Sequence, residues 1–134
     1  MLLHISDLHI GRDLNGFNLI NDQRFALNQL IKLIIERKIK YLVLAGDIFD
    51  KYNPSNEAQE LFDEFITNIS KLNIRTIIIA GNHDSKVKLS YLSTFLTKDN
   101  IYIFSDINRG EGIKKRGVIL NQASFKNYVS LISF

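Results

Sequence analysis

The chain has 134 residues, which is the size of one domain. It is 46% hydrophobic with a formal net charge of +3, so it can form one core and is not a disordered polypeptide, and its mild positive charge permits a nucleic-acid partner without identifying one. The absence of cysteine excludes disulfides, cysteine-based zinc sites and thiol nucleophiles, and because neither a signal peptide nor a membrane span is evident, we expect a cytoplasmic protein.

Hydrophobic patterning predicts strands that alternate with helices. The strand-like segments are residues 1–5, 41–45, 75–80 and 101–104. The helical segments are roughly residues 22–37 and 56–71 and, with a weaker pattern, about 87–97. Two of the strands are continuous runs rich in Val and Ile, as in strands that are covered on both faces of a parallel sheet. The sequence therefore predicts an α/β fold with a mostly parallel sheet, right-handed crossovers and flanking helices.

The character of the chain changes after Asp106. The next segment, NRGEGIKKRG, is polar, charged and glycine-containing, which is typical of a loop. The remaining residues contain strand-like pieces and stop at Phe134 within an apolar run. Because a complete domain rarely stops in the middle of a strand, we expect the chain to be a truncated piece of a larger protein.

Each of the first three predicted strands is followed by a short polar motif. The motifs are Ser6-Asp7-Leu8-His9, Gly46-Asp47-Ile48-Phe49-Asp50 and Gly81-Asn82-His83-Asp84. In a parallel sheet the carboxyl ends of the strands lie at one edge, where ligands bind, so we expect these side chains to converge. Gly46 and Gly81 allow tight turns and close backbone approach directly before the polar residues.

The converging side chains form a donor set that suits a divalent ion such as Mn²⁺, Fe²⁺ or Zn²⁺. Asp7 and His9 leave the same face of an extended segment, and Asp47 could bridge two ions about 3.5–4 Å apart. Such a pair activates water and holds a phosphoryl group for in-line attack. Each motif alone also has an ordinary explanation as a turn or a helix cap. We interpret His4 as a core histidine or a support for a ligand, and Asp50 as a group that supports a ligand or fixes its loop.

The three motifs resemble the first signature blocks of the calcineurin-like metallophosphoesterases. Longer stretches are similar to the SbcD-type nuclease subunits of that superfamily: HISDLHIGRDLNG at the start, DQ at 22–23, AGDIFDKYNPSNEA at 45–58 and AGNHDS at 80–85. The resemblance implies that residues 1–106 form the N-terminal part of a nuclease domain with an α/β/β/α sandwich fold. Residues 107–134 would then be a divergent or truncated tail.

The resemblance also implies metal-binding roles. Asp7 and His9 would bind the first ion, and Asp47 would bridge both ions. Asn82 would bind the second ion through its amide oxygen. The metal in this family is usually Mn²⁺, so the resemblance implies a two-metal manganese site.

The remaining roles concern the substrate and partners. The resemblance implies that His83 approaches the scissile phosphate and protonates or stabilises the leaving oxygen, which an imidazole can do near neutral pH. Asp84 would orient the His83 loop, and Arg12 is a candidate for contacting a DNA phosphate. The implied substrates are DNA ends and hairpins in repair and recombination. The implied partner is an SbcC-type ATPase subunit. We also expect that the chain can form a homodimer.

The sequence departs from the family in its histidines. Family members carry further metal-binding histidines downstream, including a Gly-His-x-His block, whereas the only histidines here are His4, His9 and His83. One histidine ligand, two aspartates and one asparagine are too few to fill the shells of two ions of roughly six-coordinate geometry. We therefore expect the isolated chain to have weak or absent catalysis.

Three alternatives stay open. The first is another calcineurin-like phosphodiesterase or phosphatase that acts on small substrates. The second is a non-catalytic α/β binding module, although such a module would leave His83 without a role. The third is an inactive remnant of a nuclease gene that was shortened by a stop or a frameshift.

Overall fold

The computed structural model describes residues 1–81, 84–85 and 99–104 and the backbone of 128–130. Within these residues the strands are β1 (Leu2–Ser6), β2 (Asp13–Leu14), β3 (Phe17–Asn18), β4 (Tyr41–Ala45), β5 (Arg75–Ile79), β6 (Ile101–Phe104) and β7 (Tyr128–Ser130). The helices are α1 (Ile20–Glu36) and α2 (Asn56–Lys71). The four predicted strands and the first two predicted helices are therefore present, while the helix predicted at about 87–97 lies outside the described residues.

The main sheet has five strands in the order β6-β5-β4-β1-β7, and every pairing in it is parallel. Its register aligns Ile5 of β1 with Leu44 of β4, and Leu44 with Ile78 of β5. This arrangement confirms the predicted α/β fold with a parallel sheet, and it is consistent with the N-terminal half of a metallophosphoesterase fold. All carboxyl ends of these strands lie at one edge of the sheet.

The core lies between one face of the sheet and the two described helices. Leu3 and Ile5 of β1, Leu42 and Leu44 of β4, and Ile78 of β5 are at most 2% exposed. They belong to one cluster with the buried stripes of α1 and α2, which also contact each other. These stripes repeat every three or four residues, as helices that bury one side require. The first turn of α1 contacts the loop that follows β1, through hydrogen bonds between Gln23 and the backbone of His9 and Gly11.

The opposite face of the sheet is also largely apolar. Strand alternation places Val43, Ala45 and Ile79 there, and all three are half-buried. His4 lies on the same face in register with Val43, and it is half-buried as well. The two described helices pack on the other side of the sheet. Because both faces of the sheet carry apolar side chains, the strands read as continuous apolar runs, which is the pattern that predicted strands covered on both faces.

Two local features connect sequence to structure. Ser55 is the N-cap of α2, and its hydroxyl oxygen accepts a hydrogen bond from the backbone nitrogen of Ala58 at 3.3 Å, a role that serine commonly takes at the start of a helix. The antiparallel hairpin of β2 and β3 was not predicted, although Asn15-Gly16 between them is a strong hairpin signal. Both turn residues have positive φ, at 50° and 85°.

The predicted boundary between residues 106 and 107 lies outside the described residues. Within the predicted tail, β7 pairs in parallel with β1 and aligns Tyr128 with Leu2. The division of the chain at this boundary stays a prediction. In the part of the chain that the structure describes, no helix is long and apolar enough to span a membrane.

Candidate metal centre

Three of the predicted ligands come together at the carboxyl edge of the sheet. Asp7 and His9 follow β1, and Asp47 follows β4. One potential ligand atom from each of the three residues lies within 4.8 Å of the other two, and all three residues are half-buried. Two carboxylates and one imidazole at this spacing can bind a single divalent ion. The structure thus brings together the first two of the three predicted loops.

The two loops run side by side beyond the ends of their strands. The backbone nitrogen of Asp7 donates to the carbonyl of Gly46 at 3.3 Å, that of His9 to Asp47 at 3.0 Å and that of Ile10 to Ile48 at 2.9 Å. These bonds continue the parallel pairing of β1 and β4 past the sheet. They place Asp47 beside His9, which explains why residues 38 positions apart in the chain share one site.

The ligand residues adopt an unusual backbone conformation. The φ angles of Asp7, His9 and Asp47 are 57°, 43° and 39°, and Gly46 before Asp47 has a φ of 79°. Each non-glycine residue in this left-handed region costs about 1–3 kcal/mol, and it persists only when the surrounding structure enforces it. Surrounding contacts therefore keep the backbone of these loops in a conformation that is unfavourable for non-glycine residues. Such strain is common where a site needs side chains in fixed positions around a ligand.

Asp84 joins the third loop to the second. Its side chain is 3% exposed, and its carboxylate oxygens accept hydrogen bonds from the backbone nitrogens of Ile48 at 3.0 Å, Phe49 at 2.9 Å and Gly81 at 2.8 Å. Bonds from backbone N–H groups to a buried carboxylate are stronger than neutral ones. The third loop is therefore fixed to the loop that carries Asp47.

Gly81 makes a close backbone approach to the same loop. A Cβ atom at position 81 would overlap the backbone nitrogen and a carboxylate oxygen of Asp47. The next two predicted site residues, Asn82 and His83, lie outside the described residues. Their positions relative to the cluster stay predictions from the sequence.

Three further predicted residues lie on the segments that carry the cluster. Asp50 lies next to His9, with 3.3 Å between its Oδ1 atom and the Nδ1 atom of His9, and the two side chains are 26% and 21% exposed. His4 is in the middle of β1. It is therefore not part of the loop after β1 that carries Asp7 and His9, which we call the ligand loop. Arg12 is exposed. Its backbone nitrogen donates a hydrogen bond to the carbonyl of His9 at 3.2 Å, so this residue lies directly beside the ligand loop.

Gln23 of α1 contacts the ligand loop and was not predicted as a site residue. Its Oε1 atom accepts a hydrogen bond from the backbone nitrogen of Gly11 at 2.9 Å. Its Nε2 atom donates to the carbonyls of His9 at 2.8 Å and Leu8 at 3.4 Å. The sequence offered only the Asp-Gln pair at 22–23 as a signal, because the contact depends on how α1 packs against the loop after β1.

A small polar cavity lies beside this region, between the β2–β3 hairpin and the start of α2. It has a volume of about 110 Å³ and is lined by residues that include Gly11, Asn18 and Ser55. Ligand pockets in proteins usually have volumes of about 300–1,000 Å³, so this cavity is too small for a nucleotide. The Asp7–His9–Asp47 cluster is therefore the stronger candidate site.

Comparisons with known proteins show which family the chain is similar to. Residues 1–131 match the calcineurin-like phosphoesterase family. The chain is 36% identical over 108 residues to a protein of Staphylococcus saprophyticus that is named as a subunit of the nuclease SbcCD, which covers 80% of this chain and 29% of the relative. It is 34% identical over 119 residues to the protein of the same name from Staphylococcus epidermidis, which covers 87% of this chain and 32% of the relative. The chain thus spans about a third of the length of these relatives. With a match over nearly its whole length and a cluster of Asp and His side chains at the carboxyl edge of its sheet, the chain belongs to the calcineurin-like phosphoesterase family.

Proposed function

We propose that this chain supplies the N-terminal part of the metal-dependent active site of an SbcD-like DNA nuclease. The observation that carries the proposal is the convergence of Asp7, His9 and Asp47 within 4.8 Å at the carboxyl edge of a parallel sheet. Two relatives named as SbcCD nuclease subunits support it, because they match this chain over most of its length. The reaction would be hydrolysis of a phosphodiester bond at DNA ends and hairpins during repair and recombination, in the cytoplasm.

The donor set fits a divalent ion. Asp7 and His9 would hold a first ion, Asp47 would hold the first and a second ion together, and Asn82 would add an amide oxygen for the second. Carboxylate and imidazole donors suit Mn²⁺, which we propose as the metal. When bound, such ions activate water and stabilise the negative charge that develops on a phosphoryl group.

The protein groups around this site would orient the ligands. Asp50 faces Nδ1 of His9, so Nε2 is the nitrogen that would bind an ion, as in other sites where a carboxylate orients a metal-binding histidine. Asp84 anchors the segment that leads back to His83 by its bonds to Gly81, Ile48 and Phe49. This anchoring supports the proposed role of Asp84 as an orienting residue.

Two residues would act on the substrate. His83 would donate a proton to the leaving oxygen of the scissile phosphate. Arg12 is exposed beside the ligand loop, and its guanidinium could contact a neighbouring phosphate of DNA. His4, in the strand behind the ligands, would support the site from within the sheet rather than bind metal.

The site is proposed to be incomplete in this chain alone. Two six-coordinate ions offer about twelve ligand positions, and the proposed donors number only four residues. The relatives extend well beyond the aligned segment, which covers 29% and 32% of their lengths. We therefore propose that residues 1–106 form the N-terminal part of the nuclease domain and 107–134 a divergent tail, with weak or no activity in isolation. The proposed partners are DNA, an SbcC-type ATPase subunit and a second copy of the chain.

Isothermal titration calorimetry with Mn²⁺ tests the metal site. We expect saturable binding to the purified chain and at least tenfold weaker binding to Asp47→Asn. Asp63→Asn, on the exposed side of α2, is the matched control and should bind like the wild type. No binding by the wild type, or equal binding by all three proteins, would contradict the proposal.

An activity assay separates the substrate classes. We expect little Mn²⁺-dependent cleavage of DNA hairpins by the chain alone. Robust DNA cleavage that His83→Ala abolishes would show that the site is complete in this chain. Cleavage of bis(p-nitrophenyl) phosphate without cleavage of DNA would favour a phosphodiesterase for small substrates instead.

A further inference from the structure

The amide side chain of Gln23 bridges three backbone groups of the loop that carries Asp7 and His9. Its Oε1 atom accepts a hydrogen bond from the backbone nitrogen of Gly11 at 2.9 Å. Its Nε2 atom donates to the backbone carbonyls of His9 at 2.8 Å and Leu8 at 3.4 Å. Gln23 is half-buried in the first turn of α1, twelve residues beyond Gly11. Its amide thus joins a helix on the core side to the ligand loop at the edge of the sheet.

The ligand loop needs external support because its backbone is strained. Asp7 and His9 have φ angles of 57° and 43°, and Gly11 has a φ of 86°. Positive φ at aspartate and histidine persists only when surrounding contacts enforce it. One side of the loop is held by backbone bonds to Gly46, Asp47 and Ile48. Gln23 supplies further bonds from α1 to the same loop.

An amide side chain can form all of these hydrogen bonds, whereas a charged side chain cannot. The site needs an acceptor facing the nitrogen of Gly11 and a donor facing the carbonyl of His9, about one amide width apart. A carboxylate at position 23 could accept from Gly11 but would face the His9 carbonyl with a second oxygen. An ammonium or guanidinium group could donate to His9 but could not accept from Gly11.

We propose that Gln23 is a positioning residue that sets the backbone conformation from which Asp7 and His9 present their side chains to a metal ion. This inference rests on the proposed metal site and deepens it. Gln23 itself does not bind the ion. Groups that orient metal ligands in other proteins change metal affinity by about 10–100-fold when they are removed, so a similar effect is expected for Gln23.

The test compares Gln23→Met and Gln23→Glu with Gln29→Met in the full chain. Methionine keeps the length of the side chain without its hydrogen bonds, and glutamate keeps only the acceptor. Gln29 is an exposed residue of the same helix and serves as the matched control. Two properties are measured: amide hydrogen exchange of the metal-free protein by NMR, and the Mn²⁺ dissociation constant well below the melting temperature.

The amide of His9 is the decisive probe because it bonds to Asp47 and not to Gln23. If Gln23 positions the loop, both Gln23 variants exchange the His9 amide at least about tenfold faster than the wild type. In Gln23→Met, loss of a purely local bond would accelerate only the amide of Gly11. Unchanged exchange at His9 in folded Gln23 variants would overturn the inference, whether or not the wild type binds metal.

Metal affinity gives the second readout. We expect both Gln23 variants to bind Mn²⁺ at least tenfold more weakly, and Gln29→Met to bind like the wild type. Wild-type affinity in the Gln23 variants would overturn the inference even if their melting temperatures fall. Absence of binding by the wild type would contradict the metal site in this chain, and the exchange at His9 would then decide the role of Gln23 alone. If Gln23→Met does not fold, Gln23→Glu carries the same comparison.

Discussion

The backbone of Gly81 lies so close to Asp47 that any side chain at position 81 would overlap the nitrogen and a carboxylate oxygen of Asp47. Glycine is therefore required here by the approach of two loops. The φ angle at this position is not the reason, since Gly81 does not adopt the left-handed conformation of Gly46. The loop after β5 and the proposed bridging ligand after β4 form one packed unit.

This packing predicts the effect of Gly81→Ala. The added methyl group must displace Asp47, so we expect at least tenfold weaker Mn²⁺ binding and a free energy of unfolding lower by about 1–3 kcal/mol. Calorimetric titration and urea denaturation measure the two effects. Gly16→Ala is the control, because a Cβ there meets open space and only its φ of 85° opposes the change. Gly16→Ala should keep metal binding, and equal affinities in both variants would refute the expectation.

Asp84→Asn should destabilise the chain. Asp84 is 3% exposed and accepts from three backbone nitrogens, whereas an amide has only one oxygen and would direct its NH₂ group at a donor. We expect the free energy of unfolding to fall by about 2–3 kcal/mol, because a hydrogen bond to a charged group is lost and a buried donor is left unpaired. Urea denaturation measures this change.

The exposed Asp63 on α2 provides the control for that experiment. Asp63→Asn should change the free energy of unfolding by no more than about 0.5 kcal/mol. A change of the same size in both variants would show that the contacts of Asp84 with Ile48, Phe49 and Gly81 do not stabilise the fold.

Asp50→Asn should weaken metal binding more than it weakens the fold. Asp50 lies 3.3 Å from Nδ1 of His9, and an amide would orient the imidazole less strongly than a carboxylate does. We expect Mn²⁺ affinity to fall by about 10–100-fold with little change in melting temperature. Asp13→Asn is matched to it, because Asp13 also pairs with a basic side chain, that of Lys51 at 3.1 Å, but lies outside the ligand cluster. Affinity that is unchanged in Asp50→Asn would contradict an orienting role.

The two faces of the sheet should respond differently to one small deletion. Ile78 is fully buried against the helices, whereas its neighbour Ile79 is half-buried on the other face. We expect Ile78→Val to lower the free energy of unfolding by about 1 kcal/mol, and Ile79→Val to lower it by less than about half as much. Thermal and urea denaturation of both variants provide the comparison. Equal losses would mean that the second face is as tightly packed as the first in the isolated chain.

Much of the fold is readable from local patterns. The apolar runs at 41–45 and 75–80 became β4 and β5, and helical periodicity at roughly 56–71 became α2 with Ser55 at its N-cap. These elements are predictable because burial of one face or both faces imposes a short repeat on the sequence. The β2–β3 hairpin was missed although its Asn15-Gly16 signal is local, because the flanking strands have only two residues each.

The sequence alone determined which residue types lie at the carboxyl edge of the sheet, since all strands of a parallel sheet end at one edge and Asp7, His9 and Asp47 come directly after two of them. The tertiary structure decided that these two strands are neighbours. Only the tertiary structure decided how they are held. Asp84 forms a hydrogen bond with Ile48, 36 positions away in the chain, and Gln23 forms one with His9, 14 positions away. Neither contact follows a periodic sequence pattern from which it could be predicted. Such bonds depend on the packing of whole elements, with α1 against the loop after β1 and the third loop against the second. Local preferences determine the elements, whereas the strained geometry of the ligand loops is stabilised by contacts that form only after those elements have packed.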